Sequence, residues 1–311
     1  MVAALTGRPL NLAITGGTGF VGQRLLDRAL GQGHSVRALT RRPQAPRDGV
    51  TWVEGALDMP DSLAALVEGA DAVIHVAGVV NAPDAAGFED GNVIGSGAIL
   101  AAAGQAGVPR FVHTSSLAAR EPQLSLYGAS KSRSEALVTA SPLSTIIVRP
   151  PAVYGPGDRE MLEMFKMASS GFVLLPPSGR LSLIHVDDLA SLLLALAGST
   201  DTGVIEPDDG QPGGWTHRAF GEALGAAVGR KVRTISMPRL ILALAARADR
   251  LARGANAKLT PDRAAYFAHP DWVADPARAP AAWHAAIPTA QGLADTASWY
   301  AAHGWLDGPA I

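Results

Sequence analysis

In Leu12-Ala13-Ile14-Thr15-Gly16-Gly17-Thr18-Gly19-Phe20-Val21-Gly22 a short apolar run passes straight into a glycine-rich turn and then into a helical pattern. Gly16 suits the tight turn, Gly19 lets backbone come close to a pyrophosphate, and Gly22 lets a helix pack tightly on a strand. The free N–H groups and dipole of the helix start would then face phosphate. A tight strand–helix loop without a ligand could carry the same letters. The position at the head of a strand–helix–strand pattern favours the phosphate reading.

Short runs, most of them rich in Val and Ile, recur at residues 10–15, 35–39, 72–76, 110–114 and 145–149. Ala/Leu-rich helical segments at 22–31, 62–68, 97–107 and 131–139 separate them. Such alternation predicts an α/β fold, a Rossmann-type doubly wound parallel sheet with helices on both faces. After Pro150 the rhythm changes: Pro and Gly become frequent, and only 181–186 and 202–206 resemble further core strands. The expected organisation is a dinucleotide-binding domain over 1–156, completed by about 181–206. Residues 157–180 and 207–311 would form a smaller, mostly helical substrate lobe and closing helix.

Composition narrows the function classes. The 311 residues are 48% apolar and 17% charged, which excludes global disorder. A net charge of −2 gives no electrostatic argument for nucleic acid or for an acidic membrane surface as a partner. Cysteine is absent, so disulfides, thiolate catalysis and Cys-ligated metals are excluded. Residues 1–10 are too short and interrupted for a signal peptide, and no apolar run reaches the ~20 residues of a membrane span. The expectation is a cytoplasmic globular protein.

Two further motifs carry chemistry. The run at 35–39 leads into Thr40-Arg41-Arg42, where an NAD-binding strand would end in Asp or Glu. A carboxylate repels a 2′-phosphate whereas a guanidinium binds it in a bidentate fashion, so Arg41 and Arg42 point to NADP(H). Two solvated surface arginines are the alternative. Tyr127 and Lys131 lie one helical turn apart on one face. Free tyrosine titrates at roughly 10, and a neighbouring ammonium is expected to favour the phenolate. Such a phenol can protonate a carbonyl oxygen receiving hydride, or deprotonate an alcohol losing it. Thr114-Ser115-Ser116 closes the strand at 110–114, with Ser116 eleven residues before the tyrosine, and a hydroxyl there could hold the same oxygen.

Taken together, these motifs resemble an extended short-chain dehydrogenase/reductase over nearly the whole chain. His75-Val76-Ala77-Gly78, Asn92-Val93-Ile94-Gly95-Ser96 and Arg149-Pro150-Pro151-Ala152-Val153-Tyr154-Gly155-Pro156-Gly157-Asp158 are similar to family segments. They would serve, in turn, the adenosine half of the cofactor, the active-site water and lysine, and the nicotinamide. The resemblance implies Ser116, Tyr127, Lys131 and Asn92 as catalytic. It implies Gly16, Thr18, Gly19, Phe20, Val21, Gly22, Arg41, Arg42, Leu57, Ala77, Gly78, Thr114, Tyr127, Lys131, Pro150 and Val153 around NADP(H). His185-Val186-Asp187-Asp188 resembles a late family turn read as architectural, with metal binding as its rival; no metal is expected. The stretch from Gly292 to Trp305 resembles the closing helix.

Two departures stand out. Gly55-Ala56-Leu57 replaces a common Gly-Asp-Leu, leaving Leu57 to pack on the adenine. The short gap between Ser116 and Tyr127 leaves no room for the substrate loop of many sugar-nucleotide enzymes. In the second lobe Met161, Met164, Phe165, Met167, Phe172 and residues 173–177 would make an apolar wall. Residues 238–253 form an amphipathic helix with Arg239, Arg247, Arg250 and Arg253. It would pack its apolar stripe inward, lie at a membrane interface, or roof a long-chain ligand. This lobe is similar to a lipid-linked branch of the family, which includes lipid-ketone reductases and the dehydrogenase-like accessory subunit of respiratory complex I. The branch implies a ketone reductase acting on an apolar or lipid-like substrate, such as an oxidised ceramide. Sugar-nucleotide epimerisation or dehydration, and a non-catalytic NADPH-binding assembly subunit, are the alternatives. Homodimers are frequent in the family, so a homodimer and a peripheral membrane contact are further expectations.

Overall fold

The computed structural model describes residues 8–254 and 259–306. The first seven residues of the N-terminal stretch read above, and the end of the chain after Leu306, lie outside them. The chain divides into two compact units. The first holds residues up to Pro150, then 189–207 and 278–283, and the second holds the remainder.

The first unit contains β1 (Asn11–Thr15), α1 (Phe20–Gly31), β2 (Ser35–Thr40), β3 (Val50–Glu54), α2 (Pro60–Val67), β4 (Ala72–His75) and α3 (Ala85–Phe88). A single π-helical stretch (Glu89–Ile94) then runs into α4 (Gly95–Gln105), followed by β5 (Phe111–Thr114), α5 (Leu126–Thr139) and β6 (Thr145–Val148). In the second unit lie β7 (Ala152–Tyr154), α6 (Leu162–Ser169), β8 (Phe172–Leu175), β9 (Arg180–Leu181) and β10 (Leu183–His185). Helix α7 (Val186–Ala197) leads back to the first unit and to β11 (Gly203–Ile205). The second unit resumes with β12 (Trp215–Thr216), α8 (His217–Ala227), β13 (Arg233–Ser236), α9 (Arg239–Arg253), α10 (Pro261–Phe267), β14 (Asp271–Trp272) and α11 (Thr289–Ala302).

Seven parallel strands form the main sheet in the order β11-β6-β5-β4-β1-β2-β3. Both parities of its central strands are buried: Ala13, Val73, Phe111 and Ile147 on one face, Leu12, Ile14, Ile74 and Val112 on the other. Continuous apolar runs are what a sheet covered on both faces requires. On the first of these faces Leu63, Leu66 and Val67 of α2, Ile99 and Ala103 of α4 and Val138 of α5 complete one core. This is the doubly wound Rossmann arrangement. Strand order reverses between β1 and β4, and ligands of such sheets bind outside the carboxyl ends at that switch point.

Two sequence expectations need correction. The edge strand β3 was not anticipated, because its side chains are largely half-exposed or exposed and its pattern carries little apolar signal. The run at 181–186 does not join the large sheet: β10 pairs with β7 in a small sheet of their own. Both strands lie in the second unit, so residues 151–156 and 181–188 part from the first. That second unit has its own core, in which Tyr154, Phe165, Leu175, Leu183, Phe220, Leu224, Leu293 and Tyr300 come together.

Candidate active site

Gly16 leaves β1 at a φ of +74°, and a Cβ there would lie 2.7 Å from the backbone N of Ala77 beyond β4. A Cβ on Gly22 would meet the carbonyl oxygen of Gly16 at 2.0 Å, so the turn closes only with glycine at both places. Gly19 donates to the Gly16 carbonyl at 3.0 Å and caps α1 without a side-chain bond. The N–H groups of Phe20, Val21 and Gly22 occupy the first turn, which has no acidic residue. An exposed lip at Thr18 and Gly19 completes a cradle that fits an anion such as a pyrophosphate.

Beyond β2, Arg41 and Arg42 are exposed, and Thr40 fixes their loop by donating from its hydroxyl to the Arg42 carbonyl at 2.6 Å. Leu57 is half-buried and packs on Gly95, where a Cβ would lie 2.7 Å from its Cδ1. After β4, Ala77 donates to the Thr15 hydroxyl at 3.2 Å. Gly78 backs directly onto the site: a Cβ there would lie 3.0 Å from Lys131 Nζ and 3.1 Å from Asn92 Oδ1. Asn92 sits in the π-helical stretch, accepting from Val79 N at 2.7 Å and donating to the Val79 carbonyl and to Ser130 Oγ, each at 2.9 Å. Its side chain therefore positions the backbone after Gly78 and ties it to α5.

Beneath this level lie two buried histidines, stacked with ring centroids 5.4 Å apart. His75 bonds Thr15 Oγ1 at 2.6 Å and Ser96 Oγ at 2.9 Å, while Ser96 donates to the Asn92 carbonyl at 2.6 Å. That chain assigns the proton of neutral His75 to Nε2, with Nδ1 accepting from Thr15. Burial, reinforced by Lys131, pushes His75 down to about 3, and burial pushes His113 well below its ordinary value. Unfolded histidines titrate near 6.5, so the unfolded chain binds more protons than the folded one below that pH. Stability is expected to fall as pH drops from 6.5 toward 3, with His75 alone contributing on the order of 4 kcal/mol to the loss. Chemical denaturation at stepped pH checks this. A slope unchanged in His75→Gln would contradict it.

The catalytic-type residues converge through local capping. Ser116 Oγ accepts from Ala118 N at 3.2 Å and starts a 3₁₀ turn at Leu117–Arg120. Ser125 caps α5 by accepting from Gly128 N at 2.9 Å. Gly128 lies so close to the 3₁₀ turn that a Cβ would fall 2.6 Å from the Ala118 carbonyl. With the helix start pressed there, Tyr127 comes near enough to Ser116 for the serine to oppose the effect of burial on the phenol. Lys131, one turn on and buried, donates from Nζ to the Thr114 carbonyl at 2.9 Å. Thr114 Oγ1 is buried and has no partner among the described residues.

The electrostatics differ from the sequence expectation. Burial pushes the Tyr127 phenol up, with the nearby Ser116 working against it, and no lysine contribution offsets that. Burial also brings Lys131 down to about 8, opposed by the Glu135 carboxylate. Desolvation sets the direction for both groups, and the phenol keeps its proton near neutrality.

A buried ionic network that the sequence did not reveal braces this floor. Ser115 donates to Glu135 Oε1 at 2.5 Å. Arg149 grips both Glu135 oxygens, at 2.9 and 2.6 Å, and reaches Glu206 at 3.2 Å. Arg120 meets the other Glu206 oxygen at 3.3 Å. The strand that presents Ser116 and the helix that presents Tyr127 are thereby clamped from below.

Pro150 closes the first unit, whereas Val153 lies on β7 of the second, paired with Ile184. Much of the expected apolar wall is that unit's own core: Phe165 is fully buried against Tyr300, and Met161, Val173 and Leu175 are buried around it. Phe172 stays exposed on β8. Asp188, in the late His-Val-Asp-Asp turn, accepts from Ala286 N and Ile287 N at 3.0 and 3.1 Å, an architectural use. No cluster of metal-ligating side chains occurs among the described residues.

Residues 12–207 match the model of the NAD dependent epimerase/dehydratase family. The chain belongs to this family. Within it, the chain is 41% identical over 312 residues to a protein of Caulobacter vibrioides named ceramide reductase, covering 95% of this chain and 96% of that one. A ketoreductase of Stigmatella aurantiaca, named for a farnesylated dihydroquinoline oxide, is 32% identical over 173 residues, 48% of this chain and 52% of its own. Among solved structures, the human epimerase family protein SDR39U1 with NADPH superposes with a TM-score of 0.74 at 20% identity, covering 93% and 99% of the two chains. Bordetella bronchiseptica WbmG with NAD and UDP gives 0.71 at 19%, covering 96% and 97%. These two likenesses show the fold.

Proposed function

We propose that this chain is an NADP(H)-dependent reductase that interconverts a ketone and a secondary alcohol on an apolar, lipid-like substrate, a long-chain ketone such as an oxidised ceramide. The observation that carries the reaction is the approach of Tyr127 to Ser116 with buried Lys131 one helical turn on, its Nζ anchored to the Thr114 carbonyl at 2.9 Å. Substrate class rests on near full-length similarity to the Caulobacter vibrioides protein. The glycine cradle from Gly16 to Gly22, Leu57, Ala77, Gly78, Thr114 and Lys131 would hold the dinucleotide, which supplies hydride when bound. Ser116 and Tyr127 hydroxyls would hold the ketone oxygen, and Tyr127 would pass its proton to that oxygen as it becomes an alcohol. Lys131, one helical turn on, would supply the positive charge that favours loss of the phenol proton during turnover. A phenol held protonated by burial is the form that reduction needs.

Purified protein, NADPH and a panel of long-chain ketones and sugar nucleotides test the reading by absorbance of the reduced cofactor. Net NADPH consumption with long-chain ketones is expected. Turnover of a sugar nucleotide without net consumption, or NADPH binding without turnover of any ketone, would overturn it. For the cofactor, Arg41→Ala is expected to weaken NADPH by about tenfold or more while NADH changes little, since a charge-assisted contact to phosphate contributes about 1.5–3 kcal/mol. Titration with both nucleotides measures this, and an unchanged preference ratio would place the phosphate elsewhere.

A further inference from the structure

Helix α9 has two apolar sides. Leu242 and Ala246 turn inward to Ala264 of α10, with Met237, Leu259 and Ala268 around them. On the opposite side Leu240, Leu244 and Leu251 are 71%, 54% and 89% exposed. Together with Arg247 these fall at spacings of four, three and four, which is one stripe of a helix, and exposed Ile241 borders it. Leucines so exposed on a helix that already has a core face mark a surface built to be covered.

Charge says by what. The helix carries four arginines and one aspartate in a chain whose net charge is −2. That aspartate, Asp249, is turned inward, where it accepts from Leu259 N at 2.8 Å and pairs with Arg253 at 3.1 Å. Arg239 and Arg247 line a groove of about 280 Å³ between α9 and α10, floored by Ala243, Ala264, Ala265 and Ala268. Leucines on a ridge, with guanidinium groups on long stems beside a small-residue groove, match the acyl and phosphate levels of a bilayer surface. A second copy laid on the same face in two-fold fashion would instead set arginine against arginine.

We propose that α9 docks the protein on a membrane surface carrying anionic lipid, with Leu240, Leu244 and Leu251 among the acyl chains and Arg239, Arg247 and Arg250 at the phosphates. No helix among the described residues is long and apolar enough to cross a membrane, so this contact is peripheral. Docking is read without turnover, which keeps its failure separate from failure of the reductase assignment.

Flotation with vesicles of phosphatidylcholine alone, and of phosphatidylcholine mixed with phosphatidylglycerol, tests the surface. Binding to the mixed vesicles, weakened by salt, is expected to exceed binding to the neutral ones by about tenfold or more. Leu240→Ser, Leu244→Ser and Leu251→Ser combined, and separately Arg247→Glu with Arg250→Glu, should each reduce it about tenfold or more while leaving the melting temperature within a few degrees. Equal binding to both vesicles, or serine variants that bind like wild type, would overturn the proposal. So would a dimer in sedimentation that the serine variants convert to monomer, which would give the face to a second copy.

Discussion

Tyr127→Phe is expected to lower turnover of the ketone substrate by about 10²–10⁴-fold while leaving the NADPH dissociation constant within a few-fold of wild type. The ring keeps its place beside Phe88, 6.2 Å away between centroids, so only the hydroxyl is lost. Stopped-flow turnover and NADPH fluorescence titration read the two quantities separately. Residual activity within a few-fold of wild type would remove Tyr127 from the chemistry. The direction of its titration adds a second readout. Because burial raises the phenol, reduction should hold steady through neutral pH, whereas alcohol oxidation, which needs the phenolate, should climb as the solution turns alkaline.

Arg149→Met is expected to destabilise the fold by about 3–5 kcal/mol, since it leaves two buried carboxylates without the cation between them. Denaturant unfolding measures the loss, and a value under about 1 kcal/mol would show that the network contributes little. Adding Glu135→Leu to Arg149→Met should lose less than the two single changes summed, because the second removes a charge that the first has stranded. Turnover should fall as well in Arg149→Met, through Ser115 and the strand end that carries Ser116.

The parts of the site legible in the sequence were those whose geometry is local. The glycine turn is set by residues 16–22, and the Tyr127–Lys131 spacing by one helical turn. The clamp under them escaped because Arg149 lies 14 residues from Glu135 and 57 from Glu206, and nothing local links the three. The expected acidity of Tyr127 failed for a related reason. Spacing shows that an ammonium is near but not how far each group is withdrawn from water, and burial controls the direction of each. Strand β3 was missed because an edge strand needs no continuous apolar run. The reading of α9 with an apolar stripe packed inward holds for Leu242 and Ala246, while Leu240, Leu244 and Leu251 stay exposed. A helix with leucines on two sides has no sequence signature for which side finds partners, and here only Leu242 and Ala246 do.

Strand β11 is three residues long and arrives more than fifty residues after its neighbour β6, yet Glu206 at its end joins the arginines beneath Ser115. On the ribosome, the six other strands of the sheet, β1 to β6, emerge well before that carboxylate does. A nascent chain halted before Gly203 would carry the glycine turn, Ser116, Tyr127 and Lys131 but lack the last brace under them. Competence for chemistry should therefore appear late in synthesis, when this strand adds to the finished edge, and a library of C-terminal truncations should show cofactor binding outlasting turnover.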